Sequence, residues 1–345
     1  MSLYDAVVRP LLFQMSPDRS HALAHAALRW RAPWQGIAAL GALETSDPRL
    51  RTRFASVDLP NPVGLAAGFD KNCELVPALS CLGFGFITVG SIMPGTRPGN
   101  PFPRLVRYPE TESLADSMGV PSEGRDYCVR RLQQYGRTRV PVFANVGGFS
   151  AEEIAASVAA VAPHVDAVEI SLMCPNLKPG ERFDDIQMLR DVLQRIEGRQ
   201  KPAVIRVPND TARSDDRLGE LIERCVEARI EGLKVAGGSS VTEPRLGARQ
   251  GTLHGRATFD TAIANVERAA RFARGRIPIK GNGGVSNGAD VLAMMRAGAT
   301  CIDLYSAFIY EGWTVARDIN RDLLRALEDR TIESLHPQGA SAQAA

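Results

Sequence analysis

Apolar positions along this chain fall into two alternating patterns. Short, nearly continuous apolar runs recur at 62–68, 87–91, 142–146, 167–171, 203–207, 232–236, 277–281 and 301–305. Runs of this length, bounded by turn residues and rich in Val and Ile, read as strands buried on both faces. Between most of them lie stretches such as 151–162 and 217–229, whose apolar residues return at helical spacing. Eight strands alternating with helices predict an α/β fold, a parallel (β/α)8 TIM barrel. A doubly wound sheet is the competing arrangement, but no Gly-x-Gly-x-x-Gly follows the first strand.

Residues 1–45 fall outside the repeat and predict a small helical appendage. Leu11, Leu12 and Phe13 precede Ser16-Pro17-Asp18, a helix start, and Ala22, Leu23, Ala26 and Leu28 are expected to share one face. The barrel is then expected over 46–330, and 331–345 lose periodicity and read as a frayed, disordered tail. His21 and His25, four apart, have the spacing of a metal pair; without a third ligand nearby they read as part of an amphipathic face, and no metal site is predicted. Met294 and Met295 read as core, and 213–217 as a solvated helix start.

Charge and cysteine usage narrow the classes. Over 345 residues the formal net charge is +2, with no basic excess to suggest nucleic acid. The six cysteines are scattered without a Cys-x-x-Cys pair, so neither a zinc site nor an iron–sulfur cluster is spelled out, and reduced cytosolic thiols are expected. No charged leader precedes an apolar core, and no apolar run approaches the roughly 18 residues of a membrane span.

The candidate chemistry sits at predicted strand ends, where a TIM barrel keeps its active site. The fourth strand runs into Cys174, which opens a Cys-Pro-Asn turn in 168–182; alone it is a weak signal, since buried single cysteines are usually inert. Small residues in 66–71 would admit a flat ligand to the backbone, with Lys71 following on the loop. Arg206 places a cation inside an apolar strand, which favours an anionic ligand over a structural ion pair. Gly281–Val285 and Tyr305–Phe308, after strands seven and eight, match the phosphate cradle of barrels. One glycine cluster is a plain turn; several in this order imply a phosphorylated cofactor.

These segments together resemble the dihydroorotate dehydrogenases, FMN-containing barrels. The resemblance rests on 16–21, 61–71, 82–85, 89–91, 98–101, 103–105, Cys174-Pro-Asn176, 281–284 and Tyr305-Ser306. The N-terminal segment and the length resemble the quinone-linked class 2 branch, in which a helical appendage forms a quinone tunnel at the membrane surface. The resemblance implies flavin contacts from Ala66, Ala67, Gly68, Lys71, Ser91, Asn145, Arg206, Gly255, Gly283, Tyr305 and Ser306, with Ser91 standing for a threonine and Arg206 for a lysine. It also implies a peripheral position on the cytoplasmic face of the membrane through residues 1–45, and a place in pyrimidine biosynthesis for an ordinary member.

The departures from the family are as informative. Class 2 enzymes use a serine base where this chain has Cys174, as in the soluble class 1 enzymes; a thiol, with an ordinary pKa near about 8.5, needs less activation than a hydroxyl. The family grips its pyrimidine with asparagines, and the corresponding positions are Pro121, Ser171 and Gly237, with only Asn176 retained. Lys71 is expected to touch substrate as well as flavin. His254 replaces a serine beside the phosphate and reads as a hydrogen-bonding neighbour of it. The expectation is an FMN-dependent oxidoreductase acting on a C–C bond next to a carbonyl, with Cys174 as acid/base and a pocket re-cut for a small anionic or carbonyl-bearing substrate. The alternatives are an ordinary quinone-dependent dihydroorotate dehydrogenase with a cysteine base, and a catalytically silent flavin-binding protein.

Overall fold

The computed structural model describes residues 3–41, 43–172, 185–209, 212 and 214–335. The eight apolar runs become β1 (Val63–Leu65), β2 (Phe86–Ile92), β3 (Val142–Val146), β4 (Ala167–Ser171), β5 (Ala203–Arg206), β6 (Gly232–Ala236), β7 (Ile279–Asn282) and β8 (Cys301–Leu304). Each pairs in parallel with the next, and β8 returns to β1 through Ile302 opposite Val63. The sheet therefore closes into a barrel, and closure excludes the open doubly wound alternative.

Helices follow the strands as the spacing predicts: α1 (Pro17–Arg29) and α2 (Arg31–Ala39) precede the barrel, and α3 (Arg125–Gln133), α4 (Ala151–Val161), α5 (Asp185–Arg195), α6 (Asp215–Glu227), α7 (Phe259–Ala273), α8 (Gly288–Arg296) and α9 (Val315–Leu327) surround it. The start of α4 is a reciprocal cap: Ser150 Oγ accepts from the Glu153 amide at 3.2 Å, and the Glu153 carboxylate accepts from the Phe149 amide at 2.7 Å. The start of α6 is capped by Ser214, and its Asp215 pairs with Arg268 of α7 at 2.8 Å. Met294 and Met295 are fully buried on α8.

Inside the barrel the side chains form layers. At the N-terminal end, a hairpin of Thr52–Phe54 and Val57–Leu59 inserts Phe54, whose ring stacks with Phe143, which stacks in turn with Phe86. Next comes a charged layer of Glu169, Lys234, Lys280 and Asp303, all buried. The C-terminal mouth is framed by a four-stranded antiparallel sheet built from two insertions: Leu105–Tyr108 and Ser113–Asp116 follow β2, and Ser239–Thr242 and Gln250–Gly255 follow β6. Its strands are short and polar-tipped and carry no local signal in the sequence.

Two details differ from expectation. On α1 the face packed toward the barrel is His21, Ala24, His25 and Leu28, whereas Ala22, Leu23 and Ala26 are exposed. The reason is Phe69 at the barrel mouth, whose ring meets both imidazoles, with centroids 5.7 and 5.2 Å away. At the other end, Ile332 is buried in a helical turn (Ile332–Leu335), because an apolar side chain there still reaches the core; packing thus continues past residue 330. Residues 336–345 lie outside the described residues.

Candidate active site

A cavity of about 160 Å³ opens at the C-terminal end of the barrel. From the loop after β1 come Ala66, Ala67, Gly68 and Lys71, from β2 Ser91, from β5 Arg206 and, just past the end of β8, Tyr305. The loop after β1 is held by its own carboxylate: buried Asp70 accepts from the Glu74 and Leu75 amides at 2.8 and 2.9 Å. Burial pushes this carboxyl up to about 6. Lys71 Nζ donates to the Gly68 carbonyl. Burial lowers the Lys71 ammonium to about 8, with Asp116 and Asp70 pulling the other way. Lys71 thus loses its charge well below the usual lysine range.

Arg206 makes no hydrogen bond or ion pair among the described residues, although it lies at the end of an apolar strand. An unpaired guanidinium facing a cavity fits an anion or an electron-rich carbonyl edge. Its cross-strand partner on β6 is Lys234, which lines the same cavity. Lys234 Nζ lies 2.9 Å from Asp303 and 3.5 Å from Glu169; Lys280 Nζ lies 2.6 Å from Glu169 and 3.1 Å from Asp303. Burial alone would push the Glu169 carboxyl up, but Lys234 and Lys280 hold it down at about 2.

A second, smaller cavity adjoins the first and is lined by Gly255, Gly283, Gly284, Tyr305 and Ser306. Gly283 has φ +130°, a conformation that disfavours any side chain, and a Cβ there would press on Ala262 at 3.0 Å. His254, Asn282 and Tyr305 line both cavities. His254 Nε2 is 2.7 Å from Asp116 Oδ2, a bond that joins two strands of the mouth sheet. Burial would raise the Asp116 carboxyl, yet His254 and Lys71 hold it below the usual range.

The expected site residues therefore separate into groups. Ala66, Ala67, Gly68, Lys71, Ser91, Pro121, Arg206, Gly255, Gly283, Tyr305 and Ser306 line one or both cavities. Asn145 and Ser171 are buried and satisfy each other: Asn145 Nδ2 donates to Ser171 Oγ at 3.0 Å and to Glu169 Oε1 at 2.8 Å. Gly237 packs against the start of α7, where a Cβ would meet Thr258 O at 2.5 Å, so no side chain could enter the cavity from that backbone. Cys174 and Asn176 lie outside the described residues. Asn282 belongs to the predicted Gly281–Val285 cradle, whereas the sequence does not single out Lys234 or Asp116. For Lys234 the signal that found Arg206 was present, a charge inside an apolar strand.

A third cavity, apolar and about 300 Å³, lies between α1 and the barrel. Leu12, Phe13 and Leu28 face Phe69 and Phe308 across it, and Arg107 is its cationic member. Leu105 and Leu114 line this cavity and the one at the barrel mouth, so only these side chains' thickness divides the two at that point.

The family model for dihydroorotate dehydrogenase matches residues 49–327. The chain belongs to the dihydroorotate dehydrogenase family. It is 34% identical over 341 residues to a Cereibacter sphaeroides protein named dihydroorotate dehydrogenase (quinone), covering 94% of this chain and 93% of that one. It is 31% identical over 343 residues to a Bradyrhizobium diazoefficiens protein of the same name, covering 94% and 92%. In fold it is similar to the DHODH of Eimeria tenella solved in complex with ferulenol, with a TM-score of 0.79 at 24% identity over 94% of this chain and 96% of that one. Family membership makes the chain a CH–CH oxidoreductase.

Proposed function

We propose that the protein is an FMN-dependent oxidoreductase that desaturates, or saturates, a C–C bond next to a carbonyl, in a pocket re-cut for a substrate other than dihydroorotate. The observation that carries this reading is the adjacency of the two mouth cavities, which share His254, Asn282 and Tyr305 as lining residues. One is a glycine-lined cradle and the other is lined by Arg206, whose guanidinium has no partner among the described residues. FMN fits these residues. Gly255, Gly283 and Ser306 would hold its phosphate, and Ala66, Ala67, Gly68, Ser91 and Arg206 its ring.

Bound FMN supplies the capacity to accept a hydride. The chain's part is positioning and proton handling. Lys71 and Arg206 orient an anionic or carbonyl-bearing substrate, and Cys174, which follows β4 in the sequence, exchanges the proton at the carbon alpha to the carbonyl. Pro121 in the cavity wall, Ser171 tied to Asn145, and Gly237 with no room for a side chain leave no amide grip at the three positions where the family reads its ring. The absence of that grip supports a different substrate.

The apolar cavity beside α1 suits a quinone as electron acceptor. Of seven exposed large hydrophobic residues among those described, six (Leu3, Val7, Leu11, Leu23, Trp30 and Leu40) lie in the N-terminal segment. Such a surface suits reversible contact with the membrane face. No helix among the described residues is long and apolar enough to cross a membrane.

The reading is tested by purifying the full chain and identifying its chromophore. Yellow protein that releases FMN, and apoprotein that takes up FMN in preference to riboflavin, are expected. Folded protein that refuses added FMN would contradict it.

A further inference from the structure

Arg206, Lys234 and Lys280 occupy successive paired positions on β5, β6 and β7. Three cations in one row inside a barrel are costly unless anions meet them. Among the described residues only two carboxylates do so: Glu169 on β4 and Asp303 on β8, both fully buried. The row carries one positive charge more than these partners neutralise. Lys280 is also fully buried, lies over the rings of Phe86 and Phe143, and does not line the cavity. Lys234 does line it, beside Arg206.

We propose that Lys234 is a second cofactor-binding cation of this site, held at the cavity floor by Asp303 and Glu169 so that, together with Arg206, it presents a fixed positive field to the anionic edge of the bound ring system. The proposal rests on the FMN reading above and deepens it. Asp303 is held in turn by Asn282, whose Nδ2 donates to the Asp303 side chain at 2.7 Å and to its carbonyl at 2.8 Å. Glu169 is held by Asn145. The lysine is thereby anchored from below by Glu169 and Asp303, which do not themselves line the cavity, and this is how a preorganised charge is built. Reduction of a flavin adds negative charge to its ring, so fixed cations beside it favour the reduced form.

A positioning charge of this kind makes a signed prediction that a packing role does not. The equilibrium constant for reduction of the bound flavin is measured against a reference dye, on FMN-loaded full-length protein. Lys234→Met removes the cation and should lower that constant by about tenfold or more, some 30 mV for a two-electron couple. Asp303→Asn removes the opposing charge, keeps the shape, and should raise it by about threefold or more. Breaking a buried ion pair is destabilising, so Lys234→Met could fail to fold; Asp303→Asn then decides alone, because only an upward shift is consistent with the proposal. Shifts of both variants in the same direction, or no shift in Asp303→Asn, would overturn it. Wild-type protein that takes no FMN overturns the functional reading itself, which is a separate result.

Discussion

His254 and Asp116 meet at 2.7 Å where the two mouth cavities join. The bond ties Gln250–Gly255 to Ser113–Asp116 and brings an imidazole to the cofactor cradle with one nitrogen engaged by a carboxylate. Removing the imidazole takes away the one member of this pair that lines the glycine-rich cradle and leaves Asp116, in the wall of the larger mouth cavity, without its partner. His254→Ala should therefore weaken FMN binding by about tenfold, the scale of one charge-assisted hydrogen bond. His254→Gln, which keeps a donor, should retain most of the affinity. Fluorescence titration of apoprotein with FMN measures both, and wild-type affinity in His254→Ala would contradict this role.

Cys174→Ala should leave FMN bound and slow substrate-driven bleaching of the flavin by about a hundredfold or more, the usual scale for a positioned acid or base. Cys174→Ser should be partly active. Bleaching of the alanine variant at the wild-type rate would reduce the thiol to packing.

Lys71 gives the site a pH dependence. Its ammonium falls to about 8 through burial, so the folded protein loses this charge as pH rises through 8, while the unfolded chain keeps it to about 10.5. Two consequences follow with fixed signs. Lys71 opposes folding below pH 8, and that penalty is relieved between about 8 and 10.5. An anion bound beside Lys71 raises its pKa again, so binding above pH 8 should take up protons. Calorimetry at pH 8.5 in buffers of different ionisation heat should show that uptake in wild type and not in Lys71→Met. Buffer-independent heats in wild type would contradict it.

The apolar cavity has α1 as one wall, with Leu12, Phe13 and Leu28 opposite Phe69 and Phe308. Deleting residues 1–45 should abolish quinone-linked turnover yet spare reduction of the flavin by substrate. Quinone turnover unchanged in the truncated protein would refute the cavity as an acceptor site.

What the sequence makes legible here follows from the range of each signal. All eight barrel strands are continuous apolar runs, a local signal, and all eight form. The helix starts at Ser150 and Ser214 are equally local. The mouth sheet is not: Asp116 and His254 belong to short polar-tipped strands far apart in the chain, and nothing in either segment names its partner. The buried face of α1 is not legible in its alanine pattern, because it is set by Phe69, whose ring packs against His21 and His25. Arg206 was legible as a charge in an apolar strand. Glu169, Lys234, Lys280 and Asp303 carry the same signal, but their mutual neutralisation exists only once the barrel has closed.

The re-cut pocket is tested most directly by stopped-flow reduction of the bound flavin with dihydroorotate. Three amide positions are Pro121, Ser171 and Gly237, each lost hydrogen bond is worth about 0.5–1.5 kcal/mol, and together, discounted for non-additivity, they amount to on the order of a hundredfold in efficiency. Slow reduction that fails to saturate at micromolar dihydroorotate, alongside faster reduction by another carbonyl-bearing substrate with a saturated C–C bond, is the predicted result. Rapid, saturable reduction at micromolar dihydroorotate would contradict it and identify an ordinary dihydroorotate dehydrogenase with a cysteine base.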